Sequence, residues 1–256
     1  MAYTTIDDPS AHFQTKIYTG DGNNNRVITN DGNSNLQPDF LWLKDRNVGF
    51  GHRLTDSTRG ITKNLASELN SVESTSTTQY ASWNTDGFTL IYGGQQVPNY
   101  NGHTYVAWQW KANGGTTATN TDGDINSTVQ ANTDAGFSII TYTGSGTTND
   151  TIGHGLGVAP DIAIFKRRDV STGNWDVQHN AGNPGAVTVA YRHTLNLTEG
   201  TATNVLSSFS SSTIGLSTGG DAQKNVSGSK YVCYAFKAIP GYSAFGSYYG
   251  KLNILV

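Results

Sequence analysis

HTYVAWQWKA, residues 103–112, returns near the other end of the chain as SKYVCYAFKA, residues 229–238. Side chains in a β-strand point alternately to the two faces of a sheet, so in both copies three large apolar residues share one face. These residues are Val106, Trp108 and Trp110 in the first copy, and Val232, Tyr234 and Phe236 in the second. The sequence therefore predicts the same strand twice, each time with an aromatic face.

Two further landmarks repeat with nearly the same spacing. KIYTGDG, residues 16–22, matches TYTGSG, residues 141–146, and QPDFLWLKDR, residues 37–46, matches APDIAIFKRR, residues 159–168. Offsets between the copies of the three blocks lie between 122 and 126 residues. Such constant offsets predict an internal duplication. A third copy is predicted to open at FGSYYGK, residues 245–251.

Turn signals separate the predicted strands at short intervals. Pairs such as Asp86-Gly87 and Asn101-Gly102 place glycine where tight hairpins require a positive φ. We therefore expect an all-β fold, a tandem of two related antiparallel β-sandwich units with jelly-roll or Greek-key connections.

The repeat also predicts the limits of these units. The first unit covers residues 1–115 and the second covers residues 137–245. Between them, residues 116–136 are polar and contain glycine, which is typical of a linker. Residues 246–256 are predicted to be a terminal strand or the stub of a third repeat.

The composition limits the classes of function. Charged residues make up 14% of the 256 residues, against about 25% in a typical domain. Neutral polar residues must then provide solubility, as is usual in extracellular or particle-bound β proteins. A net charge of -3 gives no excess of basic residues to neutralise phosphates, so we expect no nucleic-acid partner.

Neither a membrane segment nor a disulfide is expected. No stretch reaches the roughly 18 consecutive apolar residues of a spanning helix, and the N-terminus lacks the pattern of a secretion signal. Cys233 is the one cysteine, which excludes an internal disulfide and a multi-cysteine zinc site. Its thiol is predicted to be buried and unreactive.

No motif for catalysis or for a cofactor stands out. The six histidines have no metal-binding spacing, and GHGLG around His154 lacks a neighbouring nucleophile. Asp122 and Asp124 in NTDGDINS resemble calcium-loop ligands, but the glycine is misplaced and Ala131 stands where a calcium loop has glutamate. They are weak metal candidates, because turn formation in a linker explains them without an ion. We expect no enzyme and no cofactor, although paired carboxylates of a polysaccharide depolymerase remain an outside alternative.

Exposed tryptophan is the residue type that would bind a glycan, because a sugar ring stacks on an aromatic plane. Four of the five tryptophans lie in strand patterns that favour burial. Trp175, in STGNWDVQH, lies between polar stretches and is the predicted glycan contact.

Taken together, several blocks resemble an uncharacterised repeat module of virion proteins from marine tailed phages. They are YTTIDDPSAHFQTKIYTGDG, QPDFLWLKDRN, DSTRGITKNL, TDGFTL, YVAWQWKA, AGFSIITYTGSG, TIGHGLGVAPDIAIFKRR and NWDVQH. The resemblance covers nearly the whole chain. It implies a structural or tail-fibre-like virion component and carries no catalytic residues.

From this resemblance we expect a virion protein of the capsid surface or a tail appendage, made in the host cytoplasm. Other virion subunits, including copies of the same chain in a homo-oligomer, are its expected partners. The terminal strand offers an edge for such pairing. Its predicted subunit contacts are Tyr248, Tyr249, Leu252, Ile254 and Val256. The alternative is a carbohydrate-binding module for adhesion to a host surface glycan.

Overall fold

The computed structural model describes residues 5–91, 98–179, 191–198, 202–203, 208–216 and 223–246. Within these residues the regular elements are β-strands and one 3₁₀ turn, Pro9–Ala11. Asp8 caps this turn by accepting a hydrogen bond from the Ser10 N–H at 2.9 Å. The predicted all-β class is confirmed. No helix in this part of the chain has the length and apolar character that a membrane crossing needs.

The strands are numbered here in chain order. They are β1 (Phe13–Thr19), β2 (Arg26–Ile28), β3 (Phe40–Asp45), β4 (Arg53–Asp56), β5 (Lys63–Asn64), β6 (Ser74–Thr75), β7 (Tyr80–Trp83), β8 (Phe88–Leu90), β9 (Thr104–Trp110), β10 (Ala118–Asn120), β11 (Ser127–Asn132), β12 (Phe137–Thr143), β13 (Thr151–Gly153), β14 (Ile162–Arg167), β15 (Trp175–His179), β16 (Tyr191–Thr194), β17 (Ala202–Thr203), β18 (Thr213–Gly215) and β19 (Lys230–Phe236).

The first large sheet has the antiparallel order β1-β9-β3-β4. One of its faces packs against the small sheet β2-β8-β7, and a core that includes Leu41, Phe88 and Tyr105 fills the space between them. Tyr105 and Ala107 point into this core, whereas Trp108 points the other way and is half-buried. The predicted alternation of residues 103–112 is confirmed.

The second large sheet has the order β10-β11-β12-β19-β14-β15-β16-β17. Its four inner strands, β12-β19-β14-β15, stand in the same order as the strands of the first sheet. On one face Phe165 and Cys233 meet Ile152 of β13 and Ile214 of β18 in a second core. Each large sheet is thus covered on one face by a small sheet, in the manner of a sandwich.

A third core joins the two large sheets through their remaining faces. Phe40 and the half-buried Trp110 of the first sheet meet Phe137 and Tyr234 of the second, and the rings of Phe40 and Tyr234 stack with centroids 4.3 Å apart. These are the faces that the sequence marked as aromatic. The two large sheets therefore bury these aromatic faces against each other, because a sheet face of large apolar side chains must be removed from water.

Equivalent tyrosines make equivalent contacts in the two sheets. The rings of Tyr18 and Tyr105 stack with centroids 5.1 Å apart, and so do the rings of Tyr142 and Tyr231. The Tyr18 hydroxyl donates to the carbonyl of Pro98 at 2.6 Å, and the Tyr142 hydroxyl donates to the carbonyl of Lys224 at the same distance. These shared contacts agree with the offsets seen in the sequence.

The structure differs from the predicted linker at residues 116–136. This segment contains β10 and β11, and β11 pairs with β12 along six residues from Ser127 to Asn132. Val129 of β11 is buried in the core of the second sheet. The polar composition hid a hairpin, because only every second side chain of β11 needs to be apolar. Residues 247–256, the predicted terminal strand, lie outside the described residues.

Candidate functional site

The structure corrects the prediction that Trp175 is an exposed glycan contact. Trp175 begins β15, and its side chain is 0% exposed in the core between the two large sheets. Its indole N–H donates to the carbonyl of Ala66 at 2.8 Å. A ring enclosed on both faces cannot stack on a sugar. Residues of the first repeat, distant in sequence, cover it, so the polar neighbours of Trp175 in the sequence gave the wrong indication.

Trp108 and Trp42 are better placed to meet solvent. Both are half-buried on the face of the first sheet that also carries Trp110, and their rings form an edge contact with centroids 6.4 Å apart. The Trp42 indole N–H donates to Nδ1 of His52 at 2.8 Å, which fixes its orientation. Trp108 pairs with a residue of β1, and Ile17 lies two positions further along that strand. Ile17 is 57% exposed.

Asp122 and Asp124 take part in turn formation. Asp122 accepts a hydrogen bond from the Asn120 side chain at 2.9 Å, and Asp124 accepts from the hydroxyl of Thr151 at 2.8 Å and from its N–H at 3.1 Å. In the described part of the chain, no group of three histidine, cysteine or acidic side chains could hold a metal ion. The geometry gives both carboxylates a structural role: Asp122 braces the turn after β10, and Asp124 joins that turn to β13.

The predicted subunit contacts fall outside the described residues. They are Tyr248, Tyr249, Leu252, Ile254 and Val256. Cys233 lies within the described residues and is fully buried, as predicted. Burial raises the pKa of its thiol well above the ordinary value. A thiol that stays protonated is a poor nucleophile.

A buried charged cluster crosses between the two large sheets, and the sequence did not indicate it. Arg59, with a side chain that is 0% exposed, donates to Asp56 at 2.5 Å and to Glu73 at 2.7 Å. From the second sheet, the hydroxyl of Tyr234 donates to Asp56 at 2.7 Å. Arg168 closes the cluster by donating to both oxygens of Glu73 at 3.0 and 3.1 Å. The two carboxylates are therefore bonded by groups from both repeats.

The protonation states in this cluster follow from its burial and its charges. Burial raises the pKa of the Tyr234 phenol well above its ordinary value, so the hydroxyl keeps its proton and donates it. Burial alone would lower the pKa of Arg59, but Asp56, Tyr234 and Glu73 raise it above the ordinary value. The guanidinium stays charged. Arg59, Asp56, Glu73, Tyr234 and Arg168 bond one another and come from both repeats. This cluster, the clamp, therefore joins the two repeats.

A caged lysine adds a second polar contact between the repeats. Lys166 of β14 is 0% exposed, and its ammonium donates to the carbonyls of Arg167 at 2.8 Å and Gly173 at 2.7 Å. It also donates to the carbonyl of Asn70, in the first repeat, at 3.2 Å. Lys44, at the matching position of the first sheet, donates to the carbonyls of Asp45 and Val48. The lysine that ends FLWLK and IAIFK thus donates to backbone carbonyls in both large sheets.

An apolar cavity of about 420 Å³ opens at the edge of the core between the sheets. Phe13 and Trp110 of the first sheet and Ile164 and Phe236 of the second form part of its wall. The segment 242–245, which follows the last strand, closes one side. This size and this lining are typical of sites that take an apolar group.

No curated protein and no solved structure matches the chain. A family model described as a domain of unknown function, DUF7483, matches residues 8–254. That match spans both large sheets, the clamp and the cavity. The chain belongs to the DUF7483 family.

Proposed function

We propose that this chain is a non-enzymatic structural protein of a phage virion, located on the capsid surface or in a tail appendage. It assembles there with other virion subunits and with copies of itself. The observation that carries the proposal is the use of two similar β-sheets whose aromatic faces are buried against each other. The resemblance of the sequence blocks to a repeat module of phage virion proteins supplies the context.

The chemistry of the interface supports a scaffold role. Arg59, Asp56 and Glu73, together with Lys166, are charged groups that an active site could use, but each is bonded to groups of the other repeat or to backbone carbonyls. Arg59, Asp56 and Lys166 are fully buried, so a substrate could reach these three side chains only after the sheets separate. Rigid packing of two modules without disulfides is what a particle outside the cell requires.

Immunogold electron microscopy of intact particles, with antibody raised to this chain, tests the proposal. Label on the head would identify a decoration protein, and label on the tail or its fibres would identify an attachment component. Either result supports the virion role. If mass spectrometry finds none of this chain in the particles, and the particles carry no gold, the proposal is overturned.

One observation favours the alternative of host-glycan adhesion. Trp42 and Trp108 offer a partly exposed aromatic surface on the first sheet, next to the exposed Ile17. Stacking of a sugar ring needs such a plane. Saturable binding of the protein to host polysaccharide that is lost in Trp108→Ala, but kept in Val27→Ala on the small sheet, would favour adhesion. Equal binding by both variants would argue against this surface.

A further inference from the structure

We propose that the cavity between the two large sheets is a binding site for a small neutral molecule, largely hydrocarbon, with about two or three rings. This inference goes beyond the structural role proposed above and does not depend on it. The residues that line the cavity belong to the described part of the chain and come from both repeats. Their chemistry and the size of the cavity define the ligand.

Aromatic rings form most of the cavity wall. Ten of the 18 residues that line it carry a ring, and six others are aliphatic. The rings of Phe40 and Trp110 stack with centroids 5.2 Å apart, and those of Phe137 and Phe236 are tilted with centroids 4.8 Å apart. Because aromatic rings attract one another in offset and edge-on arrangements, this wall favours a ligand that itself carries rings.

The two remaining wall residues are polar, and both already have partners. The ammonium of Lys237 lies 3.0 Å from the carboxylate of Asp161. The hydroxyl of Ser243 accepts from the Ile239 N–H at 3.1 Å. Burial raises the pKa of the Tyr242 phenol to about 12, so this wall residue is uncharged as well. A charged group of a ligand would lose its water here without gaining a partner, which favours a neutral molecule.

Polar atoms of the buried aromatic residues are also bonded elsewhere. The indole N–H of Trp175 donates to the carbonyl of Ala66 at 2.8 Å, and the hydroxyl of Tyr234 donates to Asp56 at 2.7 Å. These two rings therefore offer a ligand their apolar surface. Water is a poor occupant of such a site, because a buried water needs about two to four polar partners.

The volume of the cavity sets the size of the ligand. A cavity of about 150 Å³ with an apolar lining takes one benzene molecule. The cavity between the sheets has about 420 Å³ and so offers room for about two or three rings. This volume lies within the usual range of small-molecule sites.

The first test compares two dyes with the same ring system in fluorescence titrations of the full chain. N-phenyl-1-naphthylamine is neutral at pH 7.5, and 8-anilinonaphthalene-1-sulfonate adds one sulfonate to the same three rings. The neutral dye should bind saturably, with one molecule per chain, and the sulfonate should bind at least about tenfold more weakly. The proposal is overturned if the neutral dye shows no saturable binding, or if the sulfonate binds as tightly.

The second test locates the bound dye. Ala244 lines the cavity and is exposed, so Ala244→Trp should obstruct its mouth. Ala135 lines the cavity and is buried, so Ala135→Phe should take up part of its volume. Both variants should weaken binding of the neutral dye about tenfold. Ala81→Trp, at an exposed position of β7 in the small sheet, is the control and should bind as wild type does.

Two results of this test would overturn the proposal. One is unchanged binding by both Ala244→Trp and Ala135→Phe, and the other is an equal loss in Ala81→Trp and Ala244→Trp. Because Ala244 is exposed, its variant keeps the test valid even if Ala135→Phe fails to fold.

The third test asks whether the dye binds between the packed sheets of one chain. Since both sheets supply the wall, the ligand should bind the folded chain and raise Tm as the concentration of neutral dye increases. A Tm that stays constant at saturating dye would overturn the proposal. So would dye affinity that falls as the protein concentration rises, because a second copy of the chain would then be covering the cavity.

Discussion

The hydroxyl of Tyr234 in the second large sheet lies 2.7 Å from a carboxylate oxygen of Asp56 in the first. Asp56 also accepts from the guanidinium of Arg59, and Arg59 donates to the same tyrosine oxygen at 3.1 Å. All three groups are buried at the contact between the repeats. A tyrosine on the aromatic face therefore contributes both its ring to the apolar core and its hydroxyl to the clamp.

Replacing Tyr234 by phenylalanine should destabilise the protein. The ring would remain in the core, but Asp56 would lose a donor in a place that water does not reach. A buried group left without a partner costs about 1 to 3 kcal/mol. Urea unfolding followed by tryptophan fluorescence measures the difference as a lower midpoint.

Tyr80 provides the control for this change. It is also buried, but its hydroxyl has no hydrogen-bond partner among the residues that the structure describes. Tyr80→Phe removes an unsatisfied polar atom and keeps the ring, so stability should stay the same or increase. Equal losses in Tyr234→Phe and Tyr80→Phe would show that the clamp contributes nothing specific.

Replacing Arg59 by methionine should have a larger effect. Asp56 and Glu73 would remain close together in the interior without the cation that both of them bind. Breaking a buried ion pair by removing one partner costs about 3 to 5 kcal/mol. Thermal unfolding measures the loss, and Arg46→Met, at an exposed position, is the control and should change stability by about 0.5 kcal/mol or less. In a double variant, Arg59→Met is combined with Tyr234→Phe. A loss of stability equal to the sum of the two single losses would argue against one coupled cluster.

The sequence could predict much of the fold because the relevant patterns are local. Alternation within residues 103–112 assigns Tyr105 and Trp108 to opposite faces, and the structure confirms this assignment. The aromatic face of the matching strand is likewise buried at Tyr234. Whether a residue lies in a strand, and which face its side chain points to, depend on neighbours one or two positions away in the sequence.

The candidate site could not be predicted, since it depends on contacts between distant segments. Trp175 is buried by the first repeat, through a hydrogen bond to Ala66 that spans 109 positions. Lys166 is the charged residue near the end of a predicted strand, yet one of the carbonyls that its ammonium contacts belongs to Asn70, 96 positions away. Arg59 has Asp56 three positions before it, but its other partners, Glu73 and Tyr234, are 14 and 175 positions away. Burial of such groups depends on how the sheets pack, and no local sequence pattern indicates that packing.

Replacing Lys166 by methionine should destabilise the protein more than the same change at Lys44. The carbonyls around Lys166 are enclosed, and losing their shared donor should cost about 1 to 3 kcal/mol. Lys44 is only half-buried, and its contact with the Val48 carbonyl is exposed, so water can replace it. Chemical denaturation of both variants measures the difference. A larger loss in Lys44→Met would contradict the assignment of the tighter cage to the second sheet.

The same lysine predicts a rise of stability in mild alkali. Burial lowers the pKa of Lys166 from 10.5 to about 8, so between these values the unfolded chain binds more protons than the folded one. Stability then increases as pH rises through this window. The difference in unfolding free energy between wild type and Lys166→Met isolates this contribution from other titrating groups. A difference that stays constant from pH 8 to 10.5 would be the contrary result.

Acid should weaken the protein through its buried histidines, and His154 is the clearest case. It is 0% exposed, its Nδ1 accepts from the Leu156 N–H at 3.1 Å, and its Nε2 donates to the carbonyl of Ser210 at 3.2 Å. A proton on Nδ1 would face the Leu156 N–H, and burial lowers the pKa of His154 below 6.5. The imidazole therefore stays neutral in the fold but gains a proton in the unfolded chain.

Stability should accordingly be complete above about pH 6.5 and fall as pH decreases below it, because the unfolded chain then binds more protons. Burial also lowers the pKa of His12, His52 and His179, so their contributions have the same sign. Unfolding midpoints in urea, measured from pH 7.5 to 5, should decrease for wild type and decrease less for His154→Gln, which cannot titrate. Parallel curves for the two proteins would mean that His154 is protonated in the fold as readily as in the unfolded chain, and that the Leu156 N–H does not hold it neutral.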